Sequence, residues 1–288
     1  FIIDKQVISS YELICENSRK DNMSRFSIIL QILKNAMFKP QFLQELSKER
    51  AEIKDDEKFR THEYSYNFNS ASNFFKKKFP DVEINEFEQE LGELDEHVDN
   101  FFKNLQTKKY PSKDKPYPID YSINSDSRKF LYILCRILKP KNVIETGVAY
   151  GLSSSYILKA LDKNQSGTLH SIDSIFRPWQ SENMIGAAIP ENLKHRWNFN
   201  LGKSTEKLQQ VFEKLNSVDI FIHDSSHTYK NMIFEFECAE KNLNENGIII
   251  SDDVLDNDAF FNFSNRDSLD SHLIKVNNDL GLGLIIKN

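Results

Sequence analysis

The sequence predicts an α/β fold with a doubly wound, mostly parallel sheet of seven strands, preceded by a helical N-terminal domain. Glycine divides the chain, because Gly92 is the only glycine before Gly147, whereas turns recur at regular intervals after it. Behind that division, short apolar runs alternate with amphipathic segments of helix length, which is typical of parallel strands joined by helices. Near the C-terminus, Asp279 to Gly281 is a turn signal that predicts an antiparallel hairpin at the end of the sheet.

Residues 1–118 are predicted to form the helical domain. Phe26 to Leu46 and Ile84 to Leu105 carry apolar residues at helical spacing, and Pro40 is expected to break or kink the first of these helices. The domain is expected to cover the sheet, to act as a lid, or to provide the surface for a homo-oligomer, and the sequence leaves these alternatives open.

Between the two helices, Tyr64 to Phe75 is predicted to be a loop or an irregular helix. Lys108 to Pro118 holds three prolines and is predicted to be the linker into a second domain, residues 119–288. Three aromatic residues are candidates for reaching a substrate pocket: Tyr64, Tyr66 and Phe68.

The second domain is predicted to alternate helices and strands. Helices of such a unit lie on both faces of the sheet, and the terminal hairpin places an antiparallel strand within it. The predicted helices are Ser125–Leu138, Ser153–Leu161, Thr205–Leu215 and His227–Leu243. The predicted strands are Asn142–Glu145, Thr168–Asp173, Trp197–Leu201, Val218–His223, Ile248–Asp252, Leu273–Asn277 and Leu282–Lys287.

The composition narrows the class of protein. The net charge of −6 argues against a nucleic-acid-binding protein that neutralises phosphates. No apolar run approaches membrane-spanning length, and the first four residues are too short and acidic a segment for a signal peptide. Cys135 and Cys238 lie in apolar helix patterns, as buried cysteines do in a reducing compartment. We therefore expect a cytoplasmic protein whose partner is neither a nucleic acid nor a membrane.

The stretch from Lys141 to Ser155 combines a buried strand, two glycines and the start of a helix. Main chain can approach a ligand closely at glycines, and a helix start offers free N–H groups to a polar or negative group. Gly147 and Gly151 are spaced differently from the glycines of dinucleotide-binding and P-loop motifs, and no lysine follows them, which disfavours phosphate. The alternative is that these glycines serve only a tight turn.

Asp173 ends the second predicted strand, where an acid of a doubly wound fold binds ribose hydroxyls. Together with the glycine turn, it predicts a site for a nucleoside without phosphate contacts. The alternative is an acid that only caps a turn.

Four motifs of the second domain follow one another: E-x-G-x-x-x-G-x-S, I-P-E-N-L-K-H-R-W, I-H-D-S-S-H-T-Y and G-I-I-I-S-D-D-V. They begin at Glu145, Ile189, Ile222 and Gly247. With these motifs the chain resembles class I S-adenosylmethionine-dependent methyltransferases, and especially small-molecule O-methyltransferases related to macrolide-sugar (macrocin-type) enzymes. The resemblance covers Tyr121 to Asn288 and implies a Rossmann-like sheet with the same antiparallel ending. It does not cover the first hundred or so residues.

The resemblance also implies roles for the residues at the carboxyl ends of the strands. The methionine part of S-adenosylmethionine would lie on the turn formed by Glu145, Gly147, Gly151 and Ser153. Asp173 matches the acid that binds the ribose, and Ser204 falls where the adenine is commonly contacted.

Three further acids predict a metal site. Asp224, Asp252 and Asp253 follow neighbouring strands, and carboxylates that hold a divalent cation can lower the pKa of a substrate hydroxyl. Oxygen ligands suit Mg²⁺, or else Mn²⁺ or Ca²⁺. Related catechol-type enzymes carry an Asp-Asn pair where this chain has Asp-Asp, so the third ligand is a substitution. The alternative is that these acids cap helices.

His227 lies three residues after Asp224, and in the sugar methyltransferases that this run resembles the histidine of D-x-x-H is the proposed base. Its ordinary pKa suits proton abstraction near neutral pH, with Asp224 as the second catalytic residue. His223 is expected to point to the opposite side of the strand and to be structural. Arg177 and Trp179 are candidates for substrate contact, with core or surface roles as the alternatives.

These residues and the resemblance together predict an S-adenosylmethionine-dependent O-methyltransferase assisted by a divalent cation. The resemblance alone implies the acceptor, a hydroxyl of a small polyhydroxylated or glycosylated molecule. One alternative is a non-catalytic binding or assembly protein that keeps the cofactor fold. Another is a nicotinamide-dependent oxidoreductase, which the glycine spacing disfavours.

Overall fold

The computed structural model describes residues 40–61, 68–119, 123–177, 179–266, 269–276 and 281–287. The predicted helix from Phe26 therefore lies outside the described residues up to Pro40, where α1 begins. Tyr64, Tyr66 and the hairpin turn at 279–280 also lie outside them. Within the described ranges, no helix is both long and apolar enough to cross a lipid bilayer.

The second part of the described chain alternates helices and strands, as predicted. The helices are α1 (Pro40–Asp56), α2 (Ala71–Lys78), α3 (Ile84–Gln89), α4 (Gly92–Gln106), α5 (Ser125–Leu138), α6 (Leu152–Lys163), α7 (Ser204–Lys214), α8 (Tyr229–Asn242) and α9 (Ala259–Ser264). The strands are β1 (Asn69–Ser70), β2 (Asn142–Thr146), β3 (Thr168–Asp173), β4 (Trp197–Leu201), β5 (Val218–His223), β6 (Leu243–Ser251), β7 (Leu269–Lys275) and β8 (Gly281–Lys287).

The strands of the described residues form one sheet in the order β1-β7-β8-β6-β5-β2-β3-β4. Seven strands were predicted, and the eighth is β1, a two-residue strand that pairs parallel with Ile274 and Lys275 of β7. Two residues are too few to produce a periodic pattern, so the sequence could not reveal it. Strand β8 runs antiparallel to both of its neighbours, which confirms the predicted antiparallel hairpin ending.

The order of strands places a crevice between β2 and β5. From β2 the chain proceeds outward through β3 and β4, and from β5 it proceeds the other way through β6. Ligands of open α/β sheets bind where the direction reverses in this way. Thr146 pairs with His223 at the ends of the two strands, and the Asp224 N–H donates to the Thr146 carbonyl at 2.9 Å. Gly147 and Asp224 therefore leave the sheet side by side.

Two hydrophobic clusters cover the two faces of the sheet. Neighbouring strand residues alternate between them, so that Val143 packs in one cluster and Ile144 in the other. The first cluster contains residues of α2 and α4 together with α5 and α6, and the second contains residues of α7, α8 and α9. Helices α2 and α4 thus share a core with the sheet.

Two predictions for the front part need correction. The single helix predicted over Ile84–Leu105 is two helices, α3 and α4, separated at Glu90 and Leu91. The break places the Glu90 carboxylate against α5, where it accepts hydrogen bonds from the Tyr132 hydroxyl and from Arg136 Nε, the latter at 2.9 Å.

The predicted linker 108–118 is partly packed, although Lys108, Lys109, Lys113 and Asp114 are exposed. Tyr110 and Tyr117 are buried, the Tyr117 N–H donates to the Tyr150 hydroxyl at 3.1 Å, and the Pro116 carbonyl accepts from Trp179 Nε1 at 3.1 Å. Proline content alone could not distinguish an exposed linker from a packed irregular segment.

Helix α8 begins later than predicted. Thr228 is its N-cap, with an extended backbone and a side chain that accepts from the Asn231 N–H, so the helix starts at Tyr229 rather than at His227. His227 therefore lies on the loop that joins β5 to α8, directly before the cap.

Candidate functional site

A cavity of about 740 Å³ lies beyond the carboxyl ends of β2, β3, β4 and β5. Its lining includes most of the predicted site residues: Gly147, Ser153, Asp173, Ser204, Asp224 and His227. Gly147 and His227, 80 positions apart in the chain, thus meet at one edge of the sheet, as the sequence predicted for residues at the strand ends.

Gly147 is required by close approach of the main chain. Its φ is +83°, and a Cβ added there would lie 1.8 Å from the Asp224 carbonyl oxygen. Gly151, with φ +82°, directly precedes α6, and a Cβ there would lie 2.8 Å from the Gly186 Cα. Both positions thus exclude any side chain, which keeps the start of α6 open toward the cavity.

Glu145 lies below this turn and does not line the cavity. Its carboxylate accepts hydrogen bonds from Ser153 Oγ at 2.5 Å, Ser154 Oγ at 2.6 Å and Ser171 Oγ at 2.9 Å. Burial raises the pKa of Glu145, and the three hydroxyls act in the opposite direction. The expectation that its side chain contacts a cofactor is therefore replaced by a supporting position, which holds the start of α6 on the sheet.

Asp173 lies next to the glycine turn, as the sequence predicted. Its Oδ2 accepts from the N–H groups of Val148 at 2.9 Å and Ala149 at 2.8 Å, and its Oδ1 accepts from Ser174 N–H at 2.6 Å. Burial raises the pKa of Asp173, while these backbone donors lower it. The acid therefore both closes the turn and lines the cavity.

Ser204 begins α7 at the opposite side of the cavity. Its Oγ donates to Asn231 Oδ1 at 3.3 Å. The first residues of α6 and of α7 therefore line the same cavity.

The acids after β5 and β6 crowd one another. Burial raises the pKa of Asp224 well above its ordinary range, and the negative charges of Asp252 and Asp253 raise it further. Burial and Asp253 likewise raise the pKa of Asp252. Of the three, Asp224 lines the cavity, whereas Asp252 and Asp253 do not. Asp253 adopts a left-handed backbone (φ +48°).

His227 lies between these acids. Its Nδ1 is 3.1 Å from Asp253 Oδ2, and its Nε2 is 3.8 Å from Asp224 Oδ1 without a hydrogen-bond partner among the described residues. Burial lowers the pKa of His227 to about 4, so the ring is neutral near pH 7. A neutral imidazole whose Nδ1–H donates to a carboxylate presents Nε2 as a proton acceptor.

His223 points away from the cavity, as predicted. Its side chain is fully buried, and its Nδ1 lies 2.6 Å from Glu235 Oε2. Its ring lies edge-on to that of His227, with 5.3 Å between the ring centroids.

One group of side chains could share a metal ion. Within the described residues, candidate ligand atoms of His227, Asp253 and Asp256 all lie within 4.8 Å of one another. The predicted ligands Asp224 and Asp252 are not members of this group. Asp256 was not a candidate in the sequence. Its side chain is exposed at the rim, and partial desolvation together with the charge of Asp253 raises its pKa to about 6.

The outer wall of the cavity comes from α1. The sequence left open a cover or lid role for the front part but marked none of the residues involved. The Tyr229 N–H donates to Asp56 Oδ2 at 2.9 Å, and the Phe59 ring stacks on Tyr229 with 4.3 Å between centroids. The charged residues that α1 and the turn after it contribute to the lining are Lys48, Glu52, Asp56, Glu57 and Arg60. No motif marks these residues, because their position depends on where α1 docks.

The residues predicted as candidates for substrate contact do not all lie at the cavity. Arg177 lines the cavity, whereas Trp179 is buried and bonded to the Pro116 carbonyl. Phe68 packs beside Gly281 at the start of β8, where a Cβ on that glycine would lie 2.1 Å from the Phe68 ring. The aromatic patch therefore does not reach the cavity through Phe68.

Comparison with known families gives one match. Residues 144–254, which include the glycine turn, Asp173, Ser204, Asp224 and His227, match a family model described as a methyltransferase domain. This match confirms the predicted class of enzyme, a methyltransferase. No curated protein matches the chain in sequence.

Three solved structures share the fold. An O-methyltransferase from Bacillus cereus in complex with S-adenosylhomocysteine has a TM-score of 0.53 and 17% identity, covering 76% of this chain and 98% of that one. A Podospora anserina methyltransferase bound to S-adenosylhomocysteine has a TM-score of 0.51 and 16% identity, covering 79% and 100%. An O-methyltransferase from Streptomyces achromogenes involved in tomaymycin synthesis, in complex with S-adenosylmethionine, has a TM-score of 0.51 and 16% identity. The match covers 77% of this chain and 97% of that one. The Rossmann-like methyltransferase fold is thereby confirmed.

Proposed function

We propose that this chain, with its methyltransferase domain at residues 144–254, is an S-adenosylmethionine-dependent O-methyltransferase. The observation that carries the proposal is the arrangement of Asp173 against the glycine turn, with both facing one cavity. The fold neighbours from Bacillus cereus, Podospora anserina and Streptomyces achromogenes hold S-adenosylhomocysteine or S-adenosylmethionine, which supports the same cofactor here.

The lining of the cavity fits this cofactor chemically. Asp173 retains acceptor capacity for the ribose hydroxyls, and Ser204 offers a hydroxyl and a helix N–H where an adenine would lie. Gly147 and Gly151 leave room for the methionine part beside the start of α6, with Ser153 below it. Glu145 supports this turn from behind.

His227 is proposed as the general base. The nucleophile is an acceptor hydroxyl that attacks the methyl carbon, and the electron pair of the breaking C–S bond returns to sulfur. The hydroxyl proton passes to Nε2 of His227, which is neutral near pH 7 because burial lowers its pKa to about 4. Asp253 orients the ring through Nδ1, and Asp224 lies beside Nε2.

We also propose assistance by a divalent cation, Mg²⁺ in the first place. The donor chemistry fits, because the carboxylates of Asp253 and Asp256 cluster beside His227. Neighbouring carboxylates also raise the pKa of Asp224 and Asp252, and a bound cation would relieve this repulsion. A cation bound among these residues would lower the pKa of an acceptor hydroxyl.

The proposed acceptor is a small polyhydroxylated or glycosylated molecule. It follows the sequence resemblance to macrolide-sugar O-methyltransferases, and the polar walls that α1 and Arg177 contribute suit an acceptor with many hydroxyls. Three further proposals remain. Residues 1–118 form a helical domain that covers the cavity, the protein is cytoplasmic, and it forms a homo-oligomer.

Calorimetric titration of the full chain with S-adenosylmethionine tests the cofactor. We expect binding that Asp173→Ala abolishes, because the turn and the ribose lose the same carboxylate. Asp270→Ala is the control, since Asp270 pairs with Lys78 at β7, away from the cavity. No binding by the unaltered chain would contradict the proposal, and binding of a nicotinamide dinucleotide instead would favour the oxidoreductase alternative.

Transfer of a labelled methyl group to a panel of sugars and glycosides tests the reaction. We expect His227→Ala to lower turnover by about 10²-fold or more, and a chelator to lower it reversibly. Equal turnover in His227→Ala would remove the proposed base. Cofactor binding without transfer to any hydroxyl acceptor would favour the non-catalytic binding protein.

A further inference from the structure

A second buried carboxylate lies below the cavity, and no motif pointed to it. Glu235 is on α8, and its side chain is 0% exposed. Its Oε2 accepts from Thr146 Oγ1 at 2.6 Å and lies 2.6 Å from Nδ1 of His223. Its Oε1 accepts from Ser225 Oγ at 2.8 Å and from Asn231 Nδ2 at 3.1 Å. One carboxylate thus joins the ends of β2 and β5 to α8.

The residues that bond to Glu235 lie next to the predicted site residues, although none of them was itself predicted to belong to the site. Thr146 directly precedes Gly147, and His223 and Ser225 flank Asp224. Ser225 and Asn231 line the cavity, whereas Glu235 itself does not. A residue with these contacts can act on the cavity only through its neighbours.

The hydrogen bonds around Glu235 are poorly explained by a contribution to stability alone. A buried charged pair often contributes less to stability than well-packed apolar side chains of similar volume would. The network does fix a particular geometry at the cavity. Asn231 Nδ2 also donates to Ser225 Oγ at 3.1 Å, and Asn231 Oδ1 accepts from the Ser204 hydroxyl. The residues that line the cavity at the ends of β5 and α7 are therefore bonded into one unit through Glu235.

We infer that Glu235 is a positioning residue, whose carboxylate holds Ser225 and Asn231 at the cofactor side of the cavity and holds His223 against His227. This inference rests on the proposed function. The ring of His223 is the link to the base, since it packs edge-on to His227 and is fixed at Nδ1 by Glu235.

The test compares Glu235→Gln with Glu90→Gln in the full chain, using S-adenosylhomocysteine as the calorimetric probe. Glu90 is the control, because its carboxylate likewise bonds more than one side chain, those of Tyr132 and Arg136, but lies away from the cavity. We expect Glu235→Gln to weaken binding about tenfold or more and Glu90→Gln to leave it within twofold. Equal affinities of Glu235→Gln and the unaltered chain overturn the inference.

The ring signal of His227, assigned by its loss in His227→Gln, is a second readout by NMR. We expect it to shift in Glu235→Gln and to stay in place in Glu90→Gln. An unshifted signal removes the proposed link through His223.

Thr146→Val decides the matter if Glu235→Gln does not fold. This variant removes one donor to Oε2 by a near-isosteric change at a residue that does not line the cavity. We expect about threefold weaker binding of the probe, and unchanged binding overturns the inference. If the unaltered chain does not bind S-adenosylhomocysteine, the proposed function itself fails, which is a distinguishable result.

Discussion

Two glutamates are fully buried under the cavity, and their pKa values shift in opposite directions. Glu145 accepts from three serine hydroxyls, which act to lower its pKa, but burial acts more strongly and raises it. Burial also acts to raise the pKa of Glu235, but the charge of His223 and the hydrogen bonds lower it to about 2. Equal burial therefore does not imply an equal pKa shift, and the partners decide its direction.

The two carboxylates support different halves of the site. Glu145 holds the start of α6 behind the glycine turn, and Glu235 holds the loop that carries Asp224 and His227. Gly147 lies between the halves, because its backbone contacts the Asp224 carbonyl. Substitutions at these three residues can separate the network in which a carboxylate meets hydroxyls from the network in which a carboxylate meets a histidine.

The largest effect is expected from Gly147→Ala, which breaks the contact between the halves. A Cβ at 1.8 Å from the Asp224 carbonyl, at φ +83°, should lower the free energy of unfolding by about 3–5 kcal/mol and abolish cofactor binding. Gly92→Ala is the control, since a Cβ there meets nothing within 4 Å and a helix gains from alanine. Urea denaturation measures both, and equal stability of the two variants would contradict the close approach.

The second-largest effect is expected from substituting each of the two glutamates and comparing the losses in the free energy of unfolding. Glu235→Gln should lower the free energy of unfolding by about 3 kcal/mol, because it leaves a buried histidine without its carboxylate. Glu145→Gln should cost about 1 kcal/mol, because its partners are neutral hydroxyls that an amide can partly satisfy. Urea denaturation at pH 7 gives the two values, and a larger loss in Glu145→Gln would reverse the comparison.

The pH dependence sharpens the same comparison. The pKa of Glu235 is depressed to about 2 in the folded chain, so its stabilising contribution is complete above its ordinary value of 4.5 and is lost as the pH falls toward 2. The raised pKa of Glu145 has the opposite sign, with a contribution that is complete below 4.5 and lost as the pH rises through the folded value.

Unfolding free energies measured between pH 3 and pH 7, as differences from the unaltered chain, isolate each residue. The difference for Glu235→Gln should shrink as the pH falls below about 4.5, whereas that for Glu145→Gln should grow. Parallel curves for the two variants would contradict the opposite pKa shifts of the two carboxylates.

Much of the fold could be predicted from local patterns. The bounds of β3, β4, β5 and α5 agree with the prediction residue for residue, because alternating apolar side chains and a capping residue act within a few positions. The convergence of Gly147, Asp173, Ser204, Asp224 and His227 on one cavity also follows from the parallel order of strands.

Features that depend on distant packing were missed. Glu235 lies twelve residues beyond His223, and an acid on an amphipathic helix has no motif that distinguishes a buried anchor from a solvated side chain. The docking of Asp56 and Phe59 onto Tyr229 joins residues about 170 positions apart, and α1 therefore could not be predicted as a cavity wall.

The sequence by itself determined the alternation of strands and helices, the glycine turn and the set of acids at the sheet edge, because these depend on side-chain period and on glycine's backbone freedom. Only the tertiary structure decided that Asp224 faces the cavity while Asp252 and Asp253 do not, and that Glu145 and Glu235 lie beneath it. The reason is physical: the direction of a side chain after a strand depends on how the following loop packs, and the charge of a buried acid depends on which distant partners that packing brings to it.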